Sequence, residues 1–169
     1  MMTKLKVIHI LHSVGGVDVS LRLILENINP QRFENIVIHG NTDTDEKFRD
    51  TRGEVITSFQ TSIVRNISPL KDLKALIYII RILKKEKPDL IHCHSAKGGI
   101  LGKLASVIMG IPCYHTPQAY SYLSAKNKLK RNIFLGIEKI LSRFDNKILA
   151  SSNSEKNRAL NEVGYDENK

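Results

Sequence analysis

The chain has 169 residues, 41% hydrophobic and 25% charged, which is the composition of one globular domain with a full core. Its formal net charge is +9, but the absence of Trp and only 6% aromatic residues disfavour a base-stacking nucleic-acid surface. An anionic membrane surface, a phosphorylated ligand or simply solvated helix faces would each explain the positive charge. No run approaches the about 18 apolar residues of a membrane span. We therefore expect a cytoplasmic protein, with peripheral attachment to the inner face of the membrane as an option.

Short apolar runs alternate with amphipathic stretches along almost the whole chain. The predicted strands are residues 5–11, 35–40, one or two short strands within 54–59 and 62–67, then 89–94, 111–116 and 147–150. The predicted helices are residues 17–28, 69–87, 98–109, 129–143 and 154–163. Strands that alternate with helices indicate parallel βαβ units joined by right-handed crossovers. The pattern predicts an α/β fold, a Rossmann-like doubly wound parallel sheet of six or seven strands with helices on both faces.

A glycine pair, Gly15 and Gly16, lies between the first strand and the first helix. Such a pair lets a ligand approach the backbone and directs free N–H groups at a phosphate or another polar group. A plain tight turn is the alternative interpretation. A dinucleotide site is disfavoured, because the G-x-G-x-x-G spacing is missing and no acidic residue ends the second strand.

The segment PDLIHCHSAKGGILGKLA, residues 88–105, is a buried strand that ends in polar residues just before a helix. Ligands of open α/β sheets bind at such transitions, so His94, Ser95 and Lys97 are candidate ligand contacts. His92 and His94 alternate along the strand and share a face, an arrangement that also ligates zinc. Because no third ligand is evident from the sequence, we expect no metal. Packed, hydrogen-bonded histidines are the more common case.

Two further strand ends carry polar groups. After the strand that contains His115, a proline starts a loop with Gln118, Tyr120 and Tyr122, whose amide, hydroxyl and aromatic groups suit a sugar. Alternatively, the tyrosines only anchor the loop. Ser152, after the last strand, is a candidate ligand contact and an equally good helix N-cap. The sequence contains neither a nucleophile elbow nor a complete phosphate-binding loop. The two cysteines lie in apolar runs, so we predict reduced core residues.

Four of these segments, in this order, resemble glycosyltransferase family 4. Residues 6–17, KVIHILHSVGGV, resemble the opening of the family with its Gly-Gly turn. Residues 88–105 resemble its Pro-Asp-(Ile/Val)-(Ile/Val)-His-x-His-(Ser/Gly) segment and the helix that follows. Residues 110–121 and the ASSNSE segment, residues 150–155, are similar to later family motifs.

The resemblance implies one half of the GT-B architecture, in which two Rossmann-like domains face each other across a cleft. Residues 1–169 resemble the N-terminal, acceptor-side domain, so the C-terminal domain that binds the nucleotide sugar is expected outside this chain. The implied activity is retaining transfer of a sugar, in capsular, exo- or lipopolysaccharide biosynthesis. The donor would be a nucleotide sugar, the acceptor a glycan or a lipid-linked molecule, and no metal cofactor is implied. The substrate-binding residues expected on this chain are Gly15, Gly16, His94, Ser95, Lys97, His115, Gln118, Tyr120 and Ser152.

One departure from the family concerns the loop that follows the strand predicted at residues 111–116. Family members carry a His-Gly pair there, and Gln118 and Ala119 occupy the matching positions. Glutamine donates and accepts hydrogen bonds but cannot transfer a proton, so the catalytic residue stays unknown. The alternative to a transferase is a stand-alone Rossmann-like binding domain or a sugar-epimerase-type domain.

Overall fold

The structure, a computed structural model, describes residues 3–64, 66, 68–123, 125, 127–144 and 146–168. Its strands are β1 (Leu5–Ile10), β2 (Phe33–Gly40), β3 (Ser58–Thr61), β4 (Leu90–His94), β5 (Cys113–Thr116) and β6 (Asn146–Ile148). Its helices are α1 (Gly16–Asn27), α2 (Pro69–Glu86), α3 (Ser95–Met109), α4 (Lys128–Leu141) and α5 (Asn153–Arg158). A 3₁₀ turn (Ser121–Leu123) precedes α4, and a π-helical turn (Ala159–Val163) continues α5.

The six strands form one parallel sheet in the order β3-β2-β1-β4-β5-β6, which confirms the predicted doubly wound fold. From β1 the chain moves outward to β3, then crosses to β4 and moves outward in the opposite direction. Right-handed crossovers therefore place α1 on one face and α2, α3 and α4 on the other. The direction reverses between β1 and β4, which is where ligands bind in sheets of this kind.

Two apolar clusters, one on each face, hold the helices to the sheet. The larger cluster joins alternate residues of β1, β2 and β4 to α2 and α3, and its members include Ile8, Ile10, Ile38, Ile91, Ile79, Leu83, Leu101 and Ala105. The smaller cluster joins Leu11 and Val37 to Leu21 and Leu25 of α1. Cys93 and Cys113 are free and buried, as predicted, with their sulfur atoms 3.4 Å apart. Across the part of the chain described, no helix is both long and apolar enough to cross a bilayer.

One predicted boundary was wrong, because helix α3 begins at Ser95, directly after β4 and three residues before the predicted start. Of the one or two short strands predicted within 54–59 and 62–67, one forms as β3 at Ser58–Thr61, and residues 62–64 follow it as irregular chain. Positions 65 and 67 of that prediction lie outside the described residues.

The glycines of α3 allow an unusually close approach of this helix to the sheet. A Cβ atom at Gly98 would lie 2.5 Å from the carbonyl oxygen of Ile10 and 2.8 Å from the Cα atom of Leu11. A Cβ atom at Gly99 would overlap the His115 ring, and one at Gly102 would overlap the sulfur of Cys93. The glycine-rich segment that begins at residue 97 is therefore a packing motif between α3 and the sheet.

We expect Gly98→Ala to destabilise the chain by about 1–3 kcal/mol, because its methyl group would press on the backbone of β1. The matched control is Gly136→Ala in α4, where a Cβ atom meets no atom within 4 Å. The added methyl group of this control fills only open space. Because alanine favours a helix interior more than glycine does, we expect the free energy of unfolding to rise by up to about 1 kcal/mol. Urea unfolding measures both changes. Equal stability of the two variants would contradict the close packing of α3.

Candidate functional site

The predicted glycine turn lies at the carboxyl end of β1 and faces solvent. Gly15 has φ +62°, in the left-handed region that favours glycine, and Gly16 is the first residue of α1. Neither glycine would place a Cβ atom within 4 Å of another atom, so the space in front of the turn is open. The first-turn N–H groups of α1 have no intrahelical acceptor and are available to a polar ligand.

A buried aspartate fixes the chain just before this turn, and the sequence analysis missed it. The side chain of Asp43 is fully buried. One of its oxygens accepts hydrogen bonds from the backbone N–H groups of Ser13 (2.5 Å) and Gly40 (2.8 Å), and the other lies 2.7 Å from Nδ1 of His12. Asp43 thereby links the ends of β1 and β2 and holds the approach to Gly15 rigid. The only sequence signal is an Asp three residues after a strand-ending glycine.

The first turn of α1 carries its own carboxylate, which limits how much negative charge the turn attracts. Asp18 accepts a hydrogen bond from the hydroxyl of Ser13 at 2.5 Å. Its other oxygen accepts from Nε of Arg22 at 2.8 Å, and the guanidinium of Arg22 lies 4.5 Å from the centre of the Phe48 ring. Because Arg22 neutralises Asp18, the turn stays open to hydroxyl groups as well as to phosphates.

Three histidines from β1 and β4 meet on the α1 face of the sheet. His9 Nδ1 lies 3.1 Å from His94 Nε2, and His9 Nε2 lies 3.2 Å from Oδ1 of Asn35. His92, which pairs with His9 in register, is half-buried and lies 2.9 Å from the hydroxyl of Thr116. Burial lowers the pKa of His9 to about 4 and that of His92 to about 3, so both rings are neutral at pH 7. Burial likewise lowers the pKa of His94.

His94 therefore lies inside this histidine cluster and not at the open edge where the sequence suggested a ligand contact. It is fully buried, and direct contact with a substrate stays a prediction that this placement does not support. The sequence analysis missed His9 altogether. His9 and His94 are 85 positions apart, and only the register of β1 on β4 brings them together.

The segment after β4 joins its neighbours through Ser95 and Lys97. Ser95 has φ +62°, and its carbonyl oxygen accepts a hydrogen bond from Nε2 of the fully buried His115 at 3.0 Å. Among the described residues, the buried Ser95 hydroxyl oxygen has no hydrogen-bond partner. Lys97, an expected ligand contact, forms an ion pair with Asp72 of α2 at 2.7 Å. Its ammonium group is therefore already paired within the protein. His115 and Lys97 hold the site in place, and their substrate contacts stay predictions.

The loop after β5 begins with two residues in left-handed conformations, Gln118 (φ +50°) and Ala119 (φ +94°). Positive φ favours glycine, and the resembled family carries glycine at the position of Ala119. The backbone of Ala119 is therefore strained here. The N–H group of Ala119 donates to Oε1 of Glu155 at 2.9 Å. Oε2 of Glu155 accepts from the N–H and the hydroxyl of Ser151, at 2.9 and 2.8 Å. Glu155 thus ties the loop after β5 to the end of β6.

Tyr120 anchors the loop, which was one of the two alternatives left open by the sequence. It is buried and stacks on Tyr122 with ring centres 5.4 Å apart, in a cluster with Val163 and Tyr165. Burial raises the pKa of Tyr122 to about 12 and raises that of Tyr120 as well. Ser152 is exposed and caps α5, accepting a hydrogen bond from the backbone N–H of Glu155 at 3.2 Å. A sugar contact by Tyr120 or Ser152 stays a prediction.

The carboxyl ends of β1, β4, β5 and β6 lie along one edge of the sheet and carry the candidate residues in the expected order. Gly15, Gly16 and Ser152 are exposed there, while Ser95 and Gln118 are half-buried. The hydrogen bonds from His115 to Ser95 and from Ala119 to Glu155 tie three of the four strand ends together. The edge is therefore a rigid, mostly uncharged hydrogen-bonding surface.

Comparison with known proteins gives consistent matches. The family model of Glycosyltransferase Family 4 matches residues 14–169. The UDP-Gal:alpha-D-GlcNAc-diphosphoundecaprenol alpha-1,3-galactosyltransferase of Escherichia coli is 35% identical over 109 residues, 64% of this chain and 28% of the relative. An uncharacterized 41.2 kDa protein in the cps region of Klebsiella pneumoniae is 30% identical over 171 residues, 98% of this chain and 45% of the relative.

Among solved structures, a glycosyltransferase from Rickettsia africae matches with a TM-score of 0.71 and 20% identity. The match covers 99% of this chain and 42% of that chain, and at this identity it shows the fold alone. The chain spans less than half the length of each of these relatives.

Proposed function

The chain belongs to glycosyltransferase family 4, and on this premise we propose that it forms the acceptor side of a sugar-transferring enzyme. The donor is a nucleotide sugar and the acceptor is a glycan or a lipid-linked molecule, in the assembly of a surface polysaccharide. The E. coli relative, named for UDP-Gal and a diphosphoundecaprenol acceptor, supports this substrate class. The K. pneumoniae relative in a cps region supports the polysaccharide setting.

The observation that carries the proposal is the open turn at Gly15 and Gly16 at the head of α1. The family match begins at residue 14 and so includes this turn and the ends of β4, β5 and β6. The exposed N–H groups of the first turn suit a phosphate or hydroxyl group of an acceptor. The half-buried Gln118 adds an amide, whose oxygen has no partner among the described residues.

This chain contributes positioning to the proposed reaction and not a proton-transferring group. Gln118, in the place of the family's loop histidine, can orient a sugar hydroxyl but cannot exchange a proton with it. Holding donor and acceptor together accounts for about 7–11 kcal/mol of barrier lowering in well-oriented reactions. The nucleotide sugar is assigned to a second domain outside this chain, and transfer is expected to retain the anomeric configuration. No metal is given a role in the transfer step.

The alternative of a stand-alone binding or epimerase-type domain is not favoured. Residues 14–169 match the transferase family, and the E. coli relative is itself named as a galactosyltransferase.

The proposal is tested by Gly16→Val, in a protein that joins this chain to its nucleotide-sugar domain. Gly16 lies outside the left-handed region and has open space around it, so the fold tolerates the side chain. The valine would block the approach of an acceptor to the turn, and we expect sugar transfer to fall below detection with an unchanged melting temperature.

The matched control is Leu23→Val, an exposed position on the same helix away from the strand ends, which should leave the transfer rate unchanged. Full activity of Gly16→Val would show that the turn is only structural. If the unmodified protein transferred sugar to neither a glycan nor a lipid-linked acceptor, this result would contradict the proposed function itself.

We further propose that α4 places this edge at an anionic membrane surface, where a lipid-linked acceptor resides. Leu129 is 67% exposed, and Ile133 and Ile140 on the same side of the helix are 48% and 58% exposed. Lys128, Lys130 and Arg131 flank Leu129, and each basic residue gains about 1 kcal/mol near an anionic surface. Lys126, which precedes α4 in the sequence, lies outside the described residues.

We expect the chain to co-sediment with phosphatidylglycerol-containing vesicles at low salt, and much less with neutral phosphatidylcholine vesicles. The double variant Lys130→Glu with Arg131→Glu should release it. The control Lys4→Glu with Arg32→Glu makes the same charge change on two exposed residues that lie at the amino ends of β1 and β2. Equal sedimentation with both vesicle types, or equal release by both double variants, would contradict a docking role for α4.

A further inference from the structure

We propose that His9, His92 and His94 bind one divalent transition-metal ion, of the zinc, nickel or copper class, between β1 and β4. The three side chains alternate with Ile8, Ile10 and other residues of the larger apolar cluster, so they share the α1 face of the sheet. The inference does not depend on sugar transfer. It revises the expectation drawn from the sequence, which found two histidines on β4 but no third ligand.

The spacing of the three rings suits a single ion. One ring nitrogen from each histidine lies within 4.8 Å of one from each of the others. Zinc–nitrogen bonds of about 2.0–2.1 Å in a tetrahedral site place ligand nitrogens about 3.4 Å apart. His9 Nδ1 and His94 Nε2, at 3.1 Å, already have this separation. The half-buried ring of His92 would have to shift for its nitrogen to reach the same separation from the other two.

Neighbouring groups orient these rings as the surroundings of metal-binding histidines do. Asn35 Oδ1 accepts from Nε2 of His9, which places the proton there and leaves the lone pair of Nδ1 directed into the cluster. The hydroxyl of Thr116 holds His92 in a similar way. The ion would take the place of the proton between His9 Nδ1 and His94 Nε2, so His94 would carry its remaining proton on Nδ1.

The donor set selects the kind of metal. Imidazole nitrogens suit zinc, copper and nickel, whereas magnesium and calcium prefer oxygen ligands. A neutral imidazole binds such an ion through the ring nitrogen that carries no proton. Three protein ligands leave one position open for water or an anion, and the half-buried His92 provides the access.

The test is a calorimetric titration of the tag-free, metal-depleted 169-residue chain with ZnCl₂. We expect one saturable site per chain, and CoCl₂ should give the visible absorption of tetrahedral cobalt. His92→Gln, at the most exposed of the three positions, should weaken binding by at least about 100-fold. The matched control is His39→Gln, a buried histidine on β2 outside the cluster, which should bind zinc as the unmodified chain does.

Circular dichroism of both variants checks that they fold, and the cobalt spectrum of the unmodified chain tests the ligand geometry without any variant. Absence of saturable zinc binding would overturn the proposal, as would equal binding by His92→Gln or an octahedral cobalt spectrum. None of these measurements involves sugar transfer, so their failure would leave the proposed function standing.

Discussion

The close approach of α3 to the sheet is the constraint on which the candidate site depends. Three side-chain-free positions, Gly98, Gly99 and Gly102, let the helix settle on the backbone of β1, the ring of His115 and the sulfur of Cys93. A helix farther from the sheet would separate the carbonyl oxygen of Ser95 from His115, whose hydrogen bond ties the ends of β4 and β5 together. It would also move the first turns of α3 away from the end of β1, where Gly98 packs against Ile10 and Leu11. The geometry of the whole edge thus follows from the lack of side chains on one helix face.

A second interaction fixes the position of α4 relative to α3. Lys103 of α3 and Glu138 of α4 form a fully buried ion pair at 2.7 Å, and the hydroxyl of Tyr165 lies 3.3 Å from the ammonium group. The same hydroxyl donates to Oδ1 of Asn146 at the start of β6 (2.7 Å). Removing one partner of such a pair costs about 3–5 kcal/mol, because the other charge stays buried and alone. The pair therefore fixes α4, and with it the exposed basic and apolar surface around Leu129, relative to α3 and the sheet.

The fold could be predicted from the sequence because strand and helix periods are local signals, and the order of strands follows from right-handed crossovers. The start of α3 could not be predicted, since the helix begins directly after β4 with no side-chain cap and with Ser95 at φ +62°. The partners of the site were missed for a different reason. His9 meets His94 across 85 positions and Glu155 reaches Ala119 across 36, so only strand register and loop closure bring them together. Local patterns thus located the edge, and the contacts that make it rigid became visible only in three dimensions.

The central claim, that this chain carries the acceptor side of a transferase, is tested most directly by calorimetry on the isolated chain with two ligands. A short-chain polyprenyl diphosphate sugar, the acceptor analogue, should bind saturably, and Gly16→Val should abolish this binding. UDP-galactose should bind no more tightly than about millimolar, a free energy of roughly −4 kcal/mol. Micromolar binding of the nucleotide sugar to the isolated chain, with no binding of the acceptor analogue, would contradict the account.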